Sequence, residues 1–362
     1  MKRLFVIFLV CVLLVGCCAC SAGTATSAAA NTNAANTNAA NTAAAKGKDL
    51  TFVIIPKCVH EWFEAVDVGA KEQAKTLSAQ LGVKVNVDYR APETADVATQ
   101  NSVLEQAAAT NPDGIAIDPC DYEGSKSIIT EIQKKGIPVV LFDAAVEGSG
   151  LTAVGNDFAE QAELEARDLA KRLGEKGQVA IMHGVTTAPN HCERYNTFKK
   201  VLAEYPGIQV IDGGASNDNI ETAQQQASAV MAANPNLAGY LCVDASGPIG
   251  ISAAIEEAGK QDKITFVGAE NLLQILQYIK DGTMCCSYST KPQMQGSQAV
   301  LAMWQAHIGM ELPKFIDTGI LYIDSSNVDE WITIAKSGQS ATEKEASGDS
   351  DVAKASATAT TK

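Results

Sequence analysis

From residue 50 onward the chain repeats one pattern: a short apolar run, a turn, then a stretch with apolar residues at helical spacing. The first copy, 50–70, reads LTFVIIPKCVHEWFEAVDVGA. Five of the six residues in 51–56 are apolar or β-branched and the run ends on a proline, too short for a buried helix. A parallel strand covered on both faces is predicted. A polar loop, 57–61, follows, and the aromatic pair Trp62 and Phe63 opens the helix. That places two rings at the carboxyl end of a strand, where open α/β sheets bind ligands.

The pattern then predicts strands at 83–89, 114–118 and 137–143, separated by helices near 94–110 and 122–135. A less periodic stretch, 145–154, leads to Gly155-Asn156-Asp157 and a helix over 158–173. The alternation restarts with strands at 178–183, 208–211, 237–243 and 264–268, and helices near 192–205, 220–233, 249–258 and 272–280. The expected fold is α/β, with two doubly wound parallel-sheet lobes joined by a multi-strand hinge. A run at 283–289, a helix over 293–308, a run at 315–323 and a short helix through Trp331 complete it. Exchange of these last elements between lobes would make such a hinge and permit rigid-body closure.

The ends differ in character. Lys2 and Arg3, an apolar run over 4–15, and Leu14-Val15-Gly16-Cys17 resemble a bacterial lipoprotein signal, which implies cleavage after 16 and lipidation of Cys17. About a dozen apolar residues are too few to span a bilayer. Residues 21–48, rich in Ala, Asn and Thr with almost no charge, read as a tether, roughly 25–30 Å root-mean-square if coil-like. The expected partition is a signal peptide at 1–16, a lipidated tether at 17–48, lobe I at 49–153 plus 290–314, lobe II at 154–289 plus 315–336, and a disordered tail at 337–362.

Length and composition support two lobes: 362 residues, 46% hydrophobic. The formal net charge of −14, with no basic stripe, argues against a nucleic-acid partner. Cys58, Cys120, Cys192, Cys242, Cys285 and Cys286 lack C-x-x-C spacing. They read as small buried hydrophobes. The sharper alternative is a Cys58–Cys120 disulfide, since both follow the ends of strands expected to be neighbours.

Motifs for catalysis are absent: no G-x-G-x-x-G after a strand, no G-x-x-x-x-G-K-[ST], G-x-S-x-G or H-E-x-x-H. The four histidines have no metal-ligand spacing, so no metal site and no cofactor are expected. Polar residues accumulate instead at strand carboxyl ends: Asp118, Asp143, Asp244 and Glu270 each end or follow an apolar run. In parallel sheets those ends share an edge, so the four carboxylates would converge on a cleft. Taken singly, each reads first as a helix cap or turn acid. Their recurrence at four equivalent places favours a site.

The segments V-I-I-P-x-x-x-x-x-W-F, D-G-I-A-I-D-P, I-P-V-V-L-F-D, E-R-Y-N-T-F and F-V-G-A-E make the chain, over roughly 49–331, resemble the periplasmic sugar-binding proteins of the ribose-binding type, substrate receptors of ABC importers. The resemblance implies two lobes closing on one monosaccharide, with three crossovers at the hinge. It implies that His60, Trp62 and Phe63 match the first-loop polar and stacking positions, and that Asp118 and Asp143 match first-lobe hydroxyl acceptors. Arg194 matches the second-lobe arginine, Asp244 and Glu270 the second-lobe acceptors, and Thr290 lies near a last polar contact. Flat rings suit the apolar face of a sugar, and carboxylates and a guanidinium suit its hydroxyls. The family's usual Asp-Arg is here Asp143-Ala144. Lys57 stands where the furanosyl autoinducer and rhamnose receptors of the superfamily carry a lysine.

The resulting expectation is a membrane-tethered, non-catalytic, monomeric receptor. It would capture a small sugar and deliver it to an ABC permease and its ATPase. A sensory subunit that presents its closed form in chemotaxis or two-component signalling is the alternative, as is a receptor for a furanosyl autoinducer, rhamnose or cyclitol-like ligand. A sugar-active enzyme ranks third, because no acid/base pair can be argued.

Overall fold

The computed structural model describes residues 47–337, 341–347 and 351–352. The expected signal peptide, Cys17 and the tether as far as residue 46 lie outside the described residues. The described residues form one compact unit.

The first half builds β1 (Leu50–Ile55), α1 (Glu61–Leu81), β2 (Val85–Tyr89), α2 (Val97–Ala109), β3 (Gly114–Ile117), α3 (Tyr122–Lys134), β4 (Val139–Phe142) and β5 (Ala153–Gly155). The second half builds α4 (Phe158–Arg172), β6 (Lys176–His183), α5 (Pro189–Leu202), β7 (Gly207–Ala215), α6 (Ile220–Ala233), β8 (Leu237–Cys242), α7 (Ser246–Glu257), β9 (Thr265–Ala269), α8 (Leu273–Asp281) and β10 (Cys286–Ser289). The chain closes with α9 (Pro292–His307), β11 (Phe315–Asp317), β12 (Leu321–Asp324), α10 (Val328–Ser337) and a single turn-and-a-half, α11 (Thr342–Ser347).

These strands form two six-stranded sheets, ordered β11-β5-β4-β3-β1-β2 and β12-β10-β9-β8-β6-β7. Pairing is parallel except between β10 and β12. Helices cover both faces, so Phe52, Val53, Ile54 and Ile55 of β1 are all fully buried, as an unbroken apolar run requires. Short polar side chains start the helices that follow: Asp96, Asp121, Asp157 and Asn219 each accept a bond from a first-turn backbone N–H of α2, α3, α4 and α6. Gly82 ends α1 in the left-handed conformation, φ 69°.

The chain passes between the sheets three times: from β5 to α4, from β10 to α9, and from β11 to β12. Helix α9 returns to the first lobe and locks against α1. At Gly69 a Cβ would collide with the Gln293 carbonyl, and at Gly296 with the Val66 carbonyl, so the two glycines permit backbone-to-backbone packing.

Two expectations are corrected. The run 315–323 is not one second-lobe strand: β11 pairs with β5 in the first sheet and β12 with β10 in the second. Thr318 and Gly319, the latter at φ 77°, make the step between them. The tail after 337 is also structured in part. The Met294 N–H donates to Glu345 Oε2 at 2.9 Å, the Ala341 N–H donates to Gln293 Oε1, and Asp351 both bridges to Leu321 and pairs with Lys291 at 2.6 Å. Polar composition hid this, because the segment is held by backbone and charge rather than by a core of its own.

Glu345 is 1% exposed. Burial pushes its carboxyl up to about 8, against the Met294 N–H and Lys291. An acid whose folded pKa is raised binds its proton more tightly in the folded state, so stability declines as pH rises from the ordinary value of 4.5 to about 8. In thermal melts across that interval Glu345→Gln should flatten the decline and melt higher at its alkaline end. Parallel curves for the two proteins would refute this account.

Candidate functional site

Parallel topology brings the carboxyl ends of the strands to facing edges of the two sheets, and a small, closed-down cavity of about 20 Å³ lies there. Lys57, His60, Trp62, Phe63 and Asp143 line it from the first lobe, and His191, Arg194, Asp218, Asp244, Ala245 and Glu270 from the second. The lobes touch around it. Trp62 Nε1 donates to Glu270 Oε2 at 2.7 Å, Asn190 Nδ2 to Asp143 Oδ2 at 2.7 Å, and Thr187 Oγ1 to the Cys120 carbonyl at 2.8 Å. A larger groove, about 360 Å³, runs past α1, α8 and the tail; its lining is mainly apolar, with Glu61, Glu64 and Glu345 as its charged members and no lysine, arginine or histidine.

On the first-lobe side, Lys57 leaves β1 and turns inward, 1% exposed. Its ammonium meets Asp118 Oδ2 at 2.5 Å and Asp143 Oδ2 at 3.7 Å, and lies 5.1 Å from the centre of the Phe63 ring. Burial works against the ammonium, yet the charges of Asp118, Asp218 and Asp143 hold its pKa above the ordinary lysine value. His60 caps α1: Nδ1 accepts the Trp62 N–H, so the neutral ring carries its proton on Nε2, 3.2 Å from Ser246 Oγ. Burial lowers the His60 pKa and favours that neutral form.

On the second-lobe side, Arg194 is clamped over Phe158, 4.3 Å from the ring centre, with Nε on Gln161 and Nη1 on the Val243 carbonyl. Its Nη2 lies 4.0 Å from Glu270. Burial raises Glu270 to about 7 although Arg194, Thr290 and Trp62 pull the other way. Asp244 accepts from the Ser216 hydroxyl and from the Gly247 N–H, and burial followed by the nearby Asp218 charge brings it to about 7. His191 Nδ1 accepts the Val185 N–H at 2.9 Å, which leaves its Nε2–H 3.9 Å from Asp218. Burial holds the His191 ring neutral.

Backbone strain concentrates at the same place. Six non-glycine residues among those described have positive φ, and three of them are cavity carboxylates: Asp143 (47°), Asp218 (55°) and Glu270 (73°). Such conformations cost of order 1–3 kcal/mol each and persist where the surroundings enforce them.

Eight of the ten residues singled out from the sequence face the cavity: Lys57, His60, Trp62, Phe63, Asp143, Arg194, Asp244 and Glu270. Asp118 and Thr290 stand behind it. Asp118 holds Lys57, and Thr290 donates to Glu270 while accepting from Trp62. Trp62 and Phe63 serve as core and as lining at once, packed edge to face at 5.1 Å. The sequence reading missed His191 and Asp218, and the reasons are local. Helix α5 begins at Pro189, three residues before the predicted start at 192, which carries Asn190 and His191 into its first turn. Strand β7 runs to Ala215, four residues past the predicted end at 211, so Asp218 is a fifth strand-end carboxylate. The postulated Cys58–Cys120 disulfide is absent: both are free, buried thiols, and Cys120 Sγ donates to the Lys57 carbonyl at 3.7 Å. Each faces a packed interior, which raises both thiols.

A family model described as a periplasmic binding protein domain matches residues 51–310. The chain belongs to this family. It is 26% identical over 261 residues to a D-ribose/D-allose-binding protein of Pseudomonas aeruginosa, covering 70% of this chain and 80% of that protein. A D-apiose import binding protein of Actinobacillus succinogenes is 24% identical, with 77% and 89% covered. Among solved structures, a Burkholderia graminis ABC-transporter solute-binding protein in complex with D-arabinose superposes with TM-score 0.71 at 28% identity, covering 77% of this chain and 96% of that one. A glucose-galactose binding protein from Geobacillus stearothermophilus gives 0.72 at 26% identity, with 78% and 99% covered. This periplasmic binding protein is therefore an extracytoplasmic binder, not an enzyme.

Removing one member of a buried ion pair leaves its partner's charge unpaid, at roughly 3–5 kcal/mol. Lys57→Met should lose stability on that scale in chemical denaturation, and adding Asp118→Asn should recover much of it. An undiminished loss in the double variant would show that packing, not charge, is what Lys57 supplies.

Proposed function

We propose that this periplasmic binding protein captures one small sugar between its lobes and delivers it, enclosed, to an ABC importer. The single observation that carries the reading is the buried cavity itself, in which acceptors and donors of both lobes converge beside two aromatic rings. Asp143, Asp244 and Glu270 accept from sugar hydroxyls, and Lys57, Arg194 and the Nε2–H of His191 donate to its oxygens. Trp62, fixed by Glu270 and Thr290, covers the apolar side of the ring. Asp118 and Thr290 act through Lys57 and Glu270. The ribose, allose and apiose receptors among its relatives support a pentose- or hexose-sized ligand.

Three crossovers suit a hinge that opens and closes the lobes as rigid bodies. The lipobox-like Leu14-Val15-Gly16-Cys17 supports an anchor on Cys17, with the Ala/Asn/Thr-rich stretch as its tether. In this reading the receptor works as a monomer, because one chain supplies both walls of the cavity.

A thermal-shift screen of monosaccharides and polyols, followed by calorimetry on the hits, tests this. At least one should raise the melting temperature, and Trp62→Ala should weaken that ligand by about tenfold or more, roughly 1.4 kcal/mol. No stabilisation by any sugar or polyol would overturn the assignment.

A further inference from the structure

The charges in the cavity do not balance, and the imbalance is local. Lys57 is committed to Asp118 and Asp143. Arg194 is committed to Gln161, the Val243 carbonyl and Glu270. Asp218 and Asp244 are left together with no lysine or arginine in ion-pair contact among the described residues. Their partners are neutral: the His191 ring, the Ser216 hydroxyl and the Gly247 N–H.

Asp218 has a side chain 6% exposed and lines the cavity, and its Oδ2 meets no donor other than the proton that it shares with Asp244. It stands on two successive left-handed residues, Asn217 (54°) and Asp218 (55°), which turn it toward the ligand side rather than outward. The remaining titratable groups that face the pair are Lys57, His60, Asp118, Asp143, Cys58 and Cys120 from the first lobe, besides His191. Both imidazoles are held neutral by burial.

We infer that Asp218 and Asp244 form a subsite for a protonated amine, so that the preferred ligand of this cleft is an amino sugar or amino polyol. The inference rests on the sugar-receptor reading above and narrows it. Two adjacent carboxylates cannot both ionise cheaply, and one keeps a proton until a positive charge arrives. A ligand hydroxyl offers one donor and no charge. An ammonium offers three donors and one charge, enough for Asp218 Oδ2 and for Asp244 at once. A metal ion fits less well, since no group of three or more ligating side chains able to hold one occurs among the described residues. Entry of the ammonium releases the retained proton to solvent. Asp244, at about 7, is the group that gives it up.

The test compares D-glucosamine, D-galactosamine and 1-amino-1-deoxysorbitol with glucose, galactose and sorbitol by titration calorimetry on the intact chain. N-acetylated forms serve as neutral controls. The expected result is that one amine binds roughly tenfold or more tightly than its hydroxyl parent and that acetylation removes the gain. Binding should release protons, read from buffers of different ionisation enthalpy, so affinity should rise between about pH 6 and 7.5. That reading needs no variant. Asp218→Asn and Asp244→Asn should each bring the amine-to-parent ratio close to one.

A neutral sugar that binds while no amine is preferred would overturn the amine subsite and leave the sugar receptor standing. So would a preference that survives both variants, or equal stabilisation by calcium ion alone. Failure of every amine and every parent to bind would overturn the subsite, and the receptor reading falls with it only where the wider sugar and polyol screen is blank as well.

Discussion

Five carboxylates, Asp118, Asp143, Asp218, Asp244 and Glu270, meet two fixed cations, Lys57 and Arg194, between the lobes, with solvent largely excluded. Moving ions out of water costs several kcal/mol apiece, so such a cluster survives only where each charge is paired, hydrogen-bonded or neutralised. Lys57 meets that requirement for the first lobe by bridging the ends of β3 and β4. Arg194 meets it for Glu270 of the second, while Asp218 and Asp244 rely on neutral hydrogen-bond partners and a retained proton. The lobes then share the burden: Trp62 of one bonds Glu270 of the other, and Asn190 bonds Asp143. Closure of the cleft and satisfaction of its charges are thus one problem.

The fold makes this arrangement possible because parallel strands all point one way. Residues that leave the parallel strands of either sheet at their carboxyl ends arrive at the same edge, β12 being the antiparallel exception, and the sharp turns there hold Asp143, Asp218 and Glu270 in left-handed conformations. The three crossovers keep the two edges opposed. The tail adds a further tie: Lys291, at the second crossover, is paired with Asp351, and Met294 one turn later bonds Glu345. Segments after 340 therefore bear on the hinge although they belong to neither sheet.

Much of this was legible beforehand. The alternation of doubly buried apolar runs with amphipathic stretches specifies parallel α/β lobes, because only a strand covered on both faces tolerates an unbroken apolar run. The rule that ligands gather at strand carboxyl ends located Asp118, Asp143, Asp244 and Glu270. It failed at Asp218 for a local reason, since the apolar run ends at Ile211 but β7 continues to Ala215 through the polar and glycine residues after it. It failed at His191 because a proline start moved the first turn of α5 back by three residues.

The sequence by itself determined the class of fold, the strand ends and therefore the inventory of groups that can reach the cleft, since these depend on local periodicity and chain direction. Only the tertiary structure decided which groups face inward and which stand behind. Asp118 and Thr290 sit at strand ends like the others, yet one is consumed by Lys57 and the other by Glu270 and Trp62. Tertiary structure also decided that 315–323 splits between two sheets and that the tail binds the hinge. These outcomes turn on pairing between residues tens to hundreds of positions apart, and such pairing has no signature in local pattern.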